Sequence, residues 1–401
     1  MKVLVINSGS SSLKYQLINM ENETVLCKGL CDRIGLVGST VTHKTDSGEW
    51  KEQVAMPTHA EAFSSMLRLM TTGEGAVVAD KNEINASGHR IVQGGEKFSA
   101  SALVNEAVLA DVESLVPLAP LHNAPEAQGI RSAQKVFGET VPQVVVFDTS
   151  FHQTMPEEAY IFAVPYEFYE KHAIRRYGAH GTSHRYVSHR AAELMGKPVE
   201  ELKIITCHLG NGSSICAVNK GKSVDTSMGL TPLGGVMMGT RSGDLDPSVA
   251  TYLADITGEY GAKMSTLLNT KCGFLGVSGI SSDNRDIEEA AAKGNKRAIL
   301  THKMFCYQIK KFIGSYTAAM NGLDCLVFTG GIGENSAGVR KTVCEGMDFF
   351  GIGIDQDKNT IRGREVDISA EGARAHTLIV PTNEELMIAR DTLEIVTGKN
   401  A

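Results

Sequence analysis

Side chains that can bind phosphate and carboxylate groups occur between the apolar segments of this 401-residue chain. The cationic or proton-donating candidates are Arg90, His122, His180 and Arg241. The candidates with hard oxygen donors are Asn7, Asp148 and Glu384. Three glycine-rich turns accompany them, and such turns can cradle a phosphate with backbone N–H groups. This combination predicts phosphoryl transfer, which depends on positioning and charge neutralisation more than on covalent catalysis.

Other chemistries lack their sequence signatures. The chain contains no G-x-S-x-G elbow and no G-x-x-x-x-G-K-[ST] phosphate loop. His180 and His184 are four residues apart, but Gly181 lies between them and no Glu follows His180, so zinc is not expected. We expect instead that His180 ends a loop and that Thr182 or Ser183 caps the helix that follows.

Three candidates also have ordinary structural interpretations. Asp148 follows the apolar segment QVVVF, where ligand-contacting groups lie in open α/β sheets, but an N-cap role is equally compatible with that position. Arg241 could be a surface arginine within the glycine-rich segment before Asp246. Glu384 could simply interact with the dipole of the helix that it begins.

Two similar segments must position these side chains. Lys2 to Leu17 (KVLVINSGSSSLKYQL) and Lys203 to Val218 (KIITCHLGNGSSICAV) begin 201 residues apart, one near the start of each half. Each is predicted to form a buried strand, a turn of Gly, Ser and Asn, and a returning strand. The repeat predicts two lobes, each beginning with a hairpin that can approach a phosphate.

The remaining pattern predicts alternating helices and strands. Helices are expected over 59–70, 105–115, 124–137 and 296–320, and further helices after Asp246-Pro247 and after Asn383. Apolar strands are expected at 143–147, 325–328 and 378–380. Thr329–Asn335 (TGGIGEN) should form a glycine turn that leads into a helix. It fails as a dinucleotide fingerprint because Ser336 stands where a glycine is required.

Composition limits the functional classes. With 42% hydrophobic and 21% charged residues the chain resembles an ordinary globular protein, and its length suits two domains. A net charge of −7 without a Lys/Arg-rich run disfavours nucleic-acid and membrane-surface binding. Eight cysteines without a C-x-x-C pair are expected to be reduced, and no signal peptide or membrane-spanning segment is recognised, which favours a cytoplasmic protein.

Ten motifs together resemble those of the acetokinase family, in the superfamily of actin, hexokinase and Hsp70, and the resemblance covers essentially the whole chain. They are NSGSSSLKY (7–15), GHRIVQGG (88–95), PLAPLHN (117–123), FDTSFH (147–152), RRYGAHGTSH (175–184), HLGNGSS (208–214), DTSMGLTPLGG (225–235), MGTRSGDLDP (238–247), FTGGIGENS (328–336) and PTNEE (381–385). The resemblance implies an acetate kinase activity, the reversible Mg-dependent transfer of the ATP γ-phosphoryl group to acetate. The hairpins would be phosphate loops and TGGIGEN an adenosine loop.

The resemblance also implies residue roles. Arg90 would bind the acetate carboxylate, Arg241 and His180 would neutralise the transferring phosphoryl group, His122 would assist at the acetyl phosphate end and Asp148 would orient the metal's water or the arginine. Asn7 and Glu384 would hold Mg²⁺, or Mn²⁺, mostly through waters. The residues expected to hold ATP or ADP are Lys14, His208, Leu209, Gly210, Asn211, Gly212, Asp283, Asn284, Arg285, Gly331, Ile332, Gly333, Glu334 and Asn335.

The acyl pocket leaves the substrate open between two acids. Val92, Leu121 and Pro232 are expected to form its wall, and Ala179 departs from the bulky aromatic residue of some relatives. A smaller residue there could admit propionate, so propionate kinase is the alternative within the family. A nucleotide-driven switch of the actin kind is a rival from another class, because it would share the phosphate loops without needing a carboxylate-binding arginine.

The expected architecture is a two-lobed α/β fold of the actin-like ATPase type, a duplicated ribonuclease-H-like fold around a central cleft. Residues 1–150 with 385–401 would form lobe one, with the acyl substrate and the first phosphate hairpin. Residues 151–384 would form lobe two, with the nucleotide, the second hairpin and the adenosine loop. The resemblance further implies a homodimer through lobe two.

Overall fold

A computed structural model describes residues 1–120 and 122–398 of the chain. Its strands are β1 (Lys2–Ser8), β2 (Ser12–Asn19), β3 (Thr24–Asp32), β4 (Thr40–Thr45), β5 (Gly48–Gln53), β6 (Ala86–Ile91), β7 (Ala102–Leu103), β8 (Gln143–Phe147), β9 (Lys203–Leu209), β10 (Ser213–Asn219), β11 (Lys222–Thr226), β12 (Cys325–Thr329), β13 (Val366–Asp367) and β14 (His376–Ile379). Its helices are α1 (His59–Thr71), α2 (Glu106–Ser114), α3 (Asn123–Phe137), α4 (Glu157–Tyr160), α5 (Glu167–His172), α6 (Gly181–Met195), α7 (Pro247–Thr257), α8 (Ala262–Thr270), α9 (Gly273–Ser278), α10 (Asn284–Ala292), α11 (Lys296–Met320), α12 (Gly330–Asn335), α13 (Ala337–Cys344) and α14 (Glu384–Thr397).

The chain folds into two compact α/β units. Unit 1 comprises Met1–Phe151 and Asn383–Ala401, and unit 2 comprises His152–Thr382. Unit 1 contains an eight-stranded sheet with the order β5-β4-β3-β2-β1-β6-β8-β7. Unit 2 contains a six-stranded sheet with the order β11-β10-β9-β12-β14-β13.

The predicted repeat of hairpins extends to five strands of each sheet. In unit 1, β3, β2 and β1 are antiparallel neighbours, and β6 and β8 then continue parallel to β1. In unit 2, β11, β10 and β9 form the same meander, and β12 and β14 continue parallel to β9. The prediction of a strand–turn–strand element at each repeat is therefore confirmed, and the same topology surrounds both turns.

Each sheet has a separate apolar core. In unit 1, one face of the sheet packs on α1 and α3 through residues such as Leu4 and Phe63, and α14 covers β1, β6 and β8 through Ile388. In unit 2, α11 packs through Phe305 and Ile309 on the same cluster as Ile205 of β9. These cores fix the ends of the strands, from which the candidate residues project.

Helix termini agree with most of the predictions. Asp246 caps α7, with Pro247 as its first residue, and Asn383 caps α14 by accepting a hydrogen bond from Leu386 N at 3.0 Å. The capping prediction for α6 was wrong. His180 is the N-cap residue, with a left-handed φ of 57°. Ser183 does not cap the helix because its hydroxyl binds His208 Nδ1 and Thr382 Oγ1. The helix predicted after the TGGIGEN turn begins without a separate turn, directly at Gly330.

Candidate active site

The acid-binding candidates of unit 1 lie at the ends of neighbouring parallel strands. Arg90 of β6 pairs with Val146 of β8, and Asp148 follows the last residue of β8. Arg90 donates from Nε to Asp148 Oδ1 at 3.1 Å and from Nη2 to Asp148 Oδ2 at 2.6 Å. Glu384 Oε2 lies 3.8 Å from Arg90 Nε. The strand-end position of Asp148 thus serves a bidentate ion pair with Arg90.

Burial sets the electrostatics of this group. The Asp148 carboxylate is fully buried, and it raises the pKa of Arg90 against the opposing effect of burial. Burial raises the pKa of Glu384 to about 7, with Asp148 adding to the rise and Arg90 and Lys14 opposing it. Arg90 therefore stays charged between the carboxyl groups of Asp148 and Glu384.

The first hairpin turn lies in the same region of unit 1. Gly9 N donates to Ser12 O at 2.8 Å across the turn, and His59 Nε2 is hydrogen-bonded to Gly9 O at 2.8 Å. Asn7 lies opposite Lys14 in the antiparallel ladder. Asn7 and Lys14 line a cavity of about 320 Å³, which is also lined by Glu385 of α14.

These residues are compatible with Mg²⁺. Asn7 offers an amide oxygen, and Glu384 offers a half-buried carboxyl group that lies 3.8 Å from Arg90 Nε. Within the described part of the chain, no group of three or more His, Cys, Asp or Glu side chains is arranged to hold a metal ion. Mg²⁺ commonly takes one or two protein oxygen ligands, with waters and substrate phosphates completing its shell.

The loop after β6 is held by side chains of neighbouring elements. Asn123, the first residue of α3, binds both backbone groups of Gln93, accepting from its N–H at 3.1 Å and donating to its carbonyl at 2.8 Å. Gly94 N donates to Thr149 Oγ1 at 3.0 Å. Of the predicted acyl-pocket and acid-site residues, Val92 is buried in this loop, His122 is the N-cap of α3, and Leu121 lies outside the described residues.

Sequence reasoning missed Glu126, which binds the same loop. Its side chain is only 4% exposed, and Oε2 accepts a hydrogen bond from Val92 N at 3.0 Å. An acidic residue in the first turn of a helix ordinarily interacts with the helix dipole, so its position in the sequence gave no functional signal.

In unit 2 the phosphoryl-binding candidates converge on the second hairpin turn. A methyl group built on Gly212 would lie 3.5 Å from Arg241 Nη1 and 3.5 Å from His180 Nε2. His208 stacks on His180 with 4.2 Å between ring centroids. The structure thus brings Arg241, His180 and His208 to one turn, around backbone positions where Gly210 N donates to Gly212 O at 3.1 Å.

Arg241 has no carboxylate partner within ion-pair distance among the described residues. It donates from Nη1 to the Pro232 carbonyl at 3.3 Å, and burial lowers its pKa. A half-buried guanidinium without a counter-ion favours an anionic ligand. Pro232, predicted to line the acyl pocket, contacts Arg241 through its backbone.

A hydrogen-bond network orients His180. Ser214 Oγ is hydrogen-bonded to His180 Nδ1 at 2.8 Å and to His184 Nε2 at 2.7 Å. His184 is fully buried, its Nδ1 lies 2.7 Å from Thr206 Oγ1, and burial lowers its pKa well below the usual range. His184 is therefore a neutral structural residue, and Ser214 links it to the imidazole at the turn.

The nucleotide candidates surround the same hairpin. A methyl group built on Gly239 would lie 2.0 Å from Asn211 Oδ1 and 2.9 Å from the carbonyl of Ser282, which precedes Asp283. Only glycine permits this contact between the hairpin and the loop before α10. Leu209 ends β9, and its carbonyl would be 2.8 Å from a methyl group on Gly330.

The predicted adenosine loop forms α12 beside the second hairpin, since a methyl group on Gly210 would lie 4.0 Å from Gly331 N. The Glu334 carboxylate accepts from Gly330 N at 2.9 Å and from Thr382 N at 3.3 Å, so it holds the loop together. Ile332 is half-buried against the unit 2 core, Gly333 is held by Arg340 at its carbonyl, and the Asn335 amide donates to Gly331 O at 3.0 Å.

The last nucleotide candidates lie at the start of α10. Asp283 caps this helix by accepting from Arg285 N at 2.8 Å, and Asn284 is buried. The exposed Arg285 guanidinium folds back on Asp283, with Nη2 to Oδ2 at 2.6 Å. Binding of a nucleotide by Arg285 would require its exposed side chain to leave this local ion pair.

Comparisons with known proteins agree with one another. The chain matches the acetokinase family over residues 2–390. It is 55% identical to the acetate kinase of Methanosarcina thermophila over 397 residues, covering 99% of this chain and 97% of that protein. The structure is similar to acetate kinase from Porphyromonas gingivalis, with a TM-score of 0.95, 47% identity and coverage of 99% and 100% of the two chains. It also resembles a propionate kinase from Francisella tularensis, with a TM-score of 0.92, 42% identity and coverage of 98% and 99%.

Proposed function

The chain belongs to the acetokinase family, and we propose that it is an acetate kinase, which reversibly transfers the γ-phosphoryl group of ATP to acetate to give acetyl phosphate and ADP. Its fold is α/β, of the actin-like ATPase type. The observation that carries the proposal is the presence of Arg241, without a carboxylate partner among the described residues, beside His180 at the Gly212 turn. We assign acid binding to unit 1 and nucleotide binding to unit 2.

Arg90 binds the acid substrate. Acetate, with a pKa of roughly 4 like Asp and Glu, is already ionised at neutral pH and needs no general base. Asp148 occupies the Nε and Nη2 donors of Arg90 and thereby fixes the plane of the guanidinium. The remaining N–H groups are suited to a second carboxylate. Asp148 therefore acts by orienting the arginine, and His122 stands at the start of α3 beside the clamped loop.

Arg241 and His180 make the attack of one anion on another possible. The acid carboxylate attacks the γ-phosphorus in line, and the P–O bond to ADP breaks as the new P–O bond forms. Negative charge spreads over the equatorial oxygens, and cationic groups placed there are worth about 10³-fold or more in rate. Asn7 and Glu384 would hold Mg²⁺, which supplies further charge neutralisation at the polyphosphate when bound.

The polyphosphate and nucleoside are held mainly by backbone. In unit 2, the backbone of the second hairpin turn, Gly210–Gly212, would approach the polyphosphate, with His208 at the end of the preceding strand. In unit 1, Lys14 lies opposite Asn7 and would add positive charge at the first hairpin. Three parts of unit 2 meet around the second turn and would form the nucleoside site: Asn211, the first residues of α10, and helix α12. This arrangement explains why glycines with close backbone contacts, such as Gly239 and Gly330, are concentrated there.

Propionate is the second candidate substrate. Ala179 is 3% exposed and packs with Met228 and Met238, so a small residue occupies the position next to His180 in the chain. The likeness to a propionate kinase supports the same alternative. We propose acetate as the preferred acid. Propionate should also be accepted, although less well, because one methylene changes the free energy of discrimination by only about 1–3 kcal/mol.

Trapping the product tests the proposal. The protein is incubated with Mg-ATP, hydroxylamine and acetate, propionate or butyrate, and the hydroxamate formed is measured to give kcat/KM for each acid. The highest value is expected for acetate. A butyrate preference would overturn the substrate assignment, and absence of hydroxamate with all three acids would overturn the activity.

We further propose a cytoplasmic homodimer. All eight cysteines are free thiols, which suits a reducing compartment. Tyr252 and Ile256, one turn apart on α7, are 67% and 61% exposed, and Tyr260 beyond the helix is 61% exposed. An apolar face of this kind in unit 2 is suited to a second copy of the same face. No helix in the described part of the chain is both long and apolar enough to cross a membrane.

A further inference from the structure

Glu126 is a carboxyl group that the reaction as described above does not use. It belongs to the first turn of α3, is 4% exposed, and its only hydrogen bond through the side chain in the described structure is from Val92 N at 3.0 Å. Burying a carboxyl group costs free energy unless hydrogen bonds or opposite charges compensate for the lost water. A glutamine at this position could form the same hydrogen bond. The position therefore requires an explanation.

The position of Val92 explains the contact. Val92 directly follows β6, two residues after Arg90. The pairing of β6 with β8 ends at Ile91, and Glu126 supplies the acceptor for the next N–H, that of Val92. With Asn123 binding Gln93 one residue later, the first turn of α3 fixes the backbone that carries both the arginine and the valine.

The protonation state of Glu126 is also suited to this position. Arg90 is already bound to Asp148 and lies 3.8 Å from Glu384, and it interacts electrostatically with Glu126 as well. Burial raises the pKa of Glu126 to about 8, so the group is largely protonated at neutral pH. A protonated carboxyl anchors the loop without adding a third negative charge that would repel an incoming carboxylate.

We propose that Glu126 is a positioning residue for the acid substrate: it holds the Val92 amide and so fixes the Val92 side chain relative to the Arg90 guanidinium. The distance between these two groups then sets which acyl chain fits against the valine while its carboxylate binds the arginine. The inference rests on the proposed function and deepens it, since it assigns part of the acid specificity to a residue that contacts only the loop backbone.

Kinetics of three variants test this inference. Glu126→Ala removes the anchor, Glu126→Gln keeps the hydrogen bond in a neutral side chain, and Glu113→Ala is the matched control on α2, where an exposed glutamate pairs with Arg131 of α3. In Glu126→Ala we expect the KM for acetate to rise about tenfold and the acetate-to-propionate ratio of kcat/KM to change at least about threefold. The KM for ATP should stay within about twofold.

The activity of Glu126→Gln distinguishes a role in positioning Val92 from a general role in stability. Glu126→Gln should keep the wild-type KM and acid preference within about threefold, and Glu113→Ala should match the wild type. If Glu126→Ala does not fold, Glu126→Asp takes its place, because a carboxyl one methylene shorter cannot reach Val92 N. An unchanged acid preference in the folded variant, or an equal defect in Glu126→Gln, would overturn the inference. Wild-type protein that turns over ATP without acid would overturn the proposed function instead.

Discussion

Arg90 and Asp148 form a bidentate ion pair between adjacent parallel strands, with hydrogen bonds of 3.1 and 2.6 Å and a fully buried carboxylate. Removing one member of such a pair leaves the other uncompensated in a poorly solvated position. Asp148 therefore fixes the orientation of the Arg90 guanidinium, on which the proposed acid site depends.

Asp148→Asn should raise the KM for acetate and lower kcat, together by about 10²-fold or more in kcat/KM, because the guanidinium loses its bidentate acceptor. The KM for ATP should change little, since the nucleotide candidates lie mainly in unit 2. Steady-state kinetics with each substrate varied measure both effects. Glu113→Gln, which alters an exposed pair with Arg131, is the control. A variant with an unchanged acetate KM would remove Asp148 from the acid site.

Arg241→Ala should lower kcat about 10³-fold and leave the dissociation constant for ATP within a few-fold of the wild-type value. The reason is that, in the proposed mechanism, the guanidinium at the Gly212 turn would neutralise charge that develops during transfer. Single-turnover kinetics and calorimetric titration with a nucleotide separate the two quantities. Wild-type turnover by this variant would mean that Arg241 is not part of the catalytic set.

Ser214→Ala should lower kcat about tenfold without changing the KM for acetate, because Ser214 Oγ joins His180 Nδ1 to the neutral His184. The pH profile of kcat should shift as His180 loses this partner. Ser188→Ala, which removes a buried hydroxyl that donates to the Arg185 carbonyl on α6, is the matched control. If both variants show the same small loss and the same pH profile, the network has no role in orienting His180.

Glu126 should make stability depend on pH. Its pKa is raised to about 8 in the folded protein, so the folded state binds more protons than the unfolded state between about 4.5 and 8. The stabilising contribution is complete below that interval and is lost as the pH rises through it. Thermal unfolding from pH 5.5 to 8.5 should therefore show a smaller decrease in Tm for Glu126→Gln than for the wild type. Parallel Tm curves would contradict the assigned shift.

Tyr252→Glu combined with Ile256→Glu should convert the proposed dimer into a monomer. Two buried carboxylates facing their symmetry copies in a C₂ interface would repel one another. Light scattering coupled to size-exclusion chromatography gives the mass directly. Leu300→Glu, at an exposed apolar residue on α11, is the control. A monomeric wild-type protein would contradict the proposal.

The repeat was the most predictable part of the fold. Val3 to Ile6 and Ile204 to Cys207 are β-branched or apolar runs followed by residues that only tight turns favour, so local pattern alone determines a strand and a hairpin. The same holds for Asp246 and Asn383, whose capping role depends on neighbouring residues in the chain. Each of these features is decided within about ten residues, and sequence reasoning succeeds at that range.

Features decided by distant contacts were not predictable. The side chain of His180 is bound by Ser214, 34 residues later, and the hydroxyl of Ser183 turns away from its own helix toward His208. The task of Glu126 depends on Val92, 34 residues earlier. The sequence placed Asp148 at a strand end but could not decide between a cap and a ligand, because the choice depends on Arg90 in the neighbouring strand.

The ³¹P NMR spectrum of the protein with Mg-ATP, recorded with and without acetate, tests the central claim most directly. With acetate, a new acyl phosphate resonance should grow at the rate at which the γ-phosphate signal of ATP is lost and ADP appears. Without acid, the ATP signals should persist. Release of inorganic phosphate at the same rate in both samples, with no acyl phosphate, would contradict the account and would favour a nucleotide-driven switch.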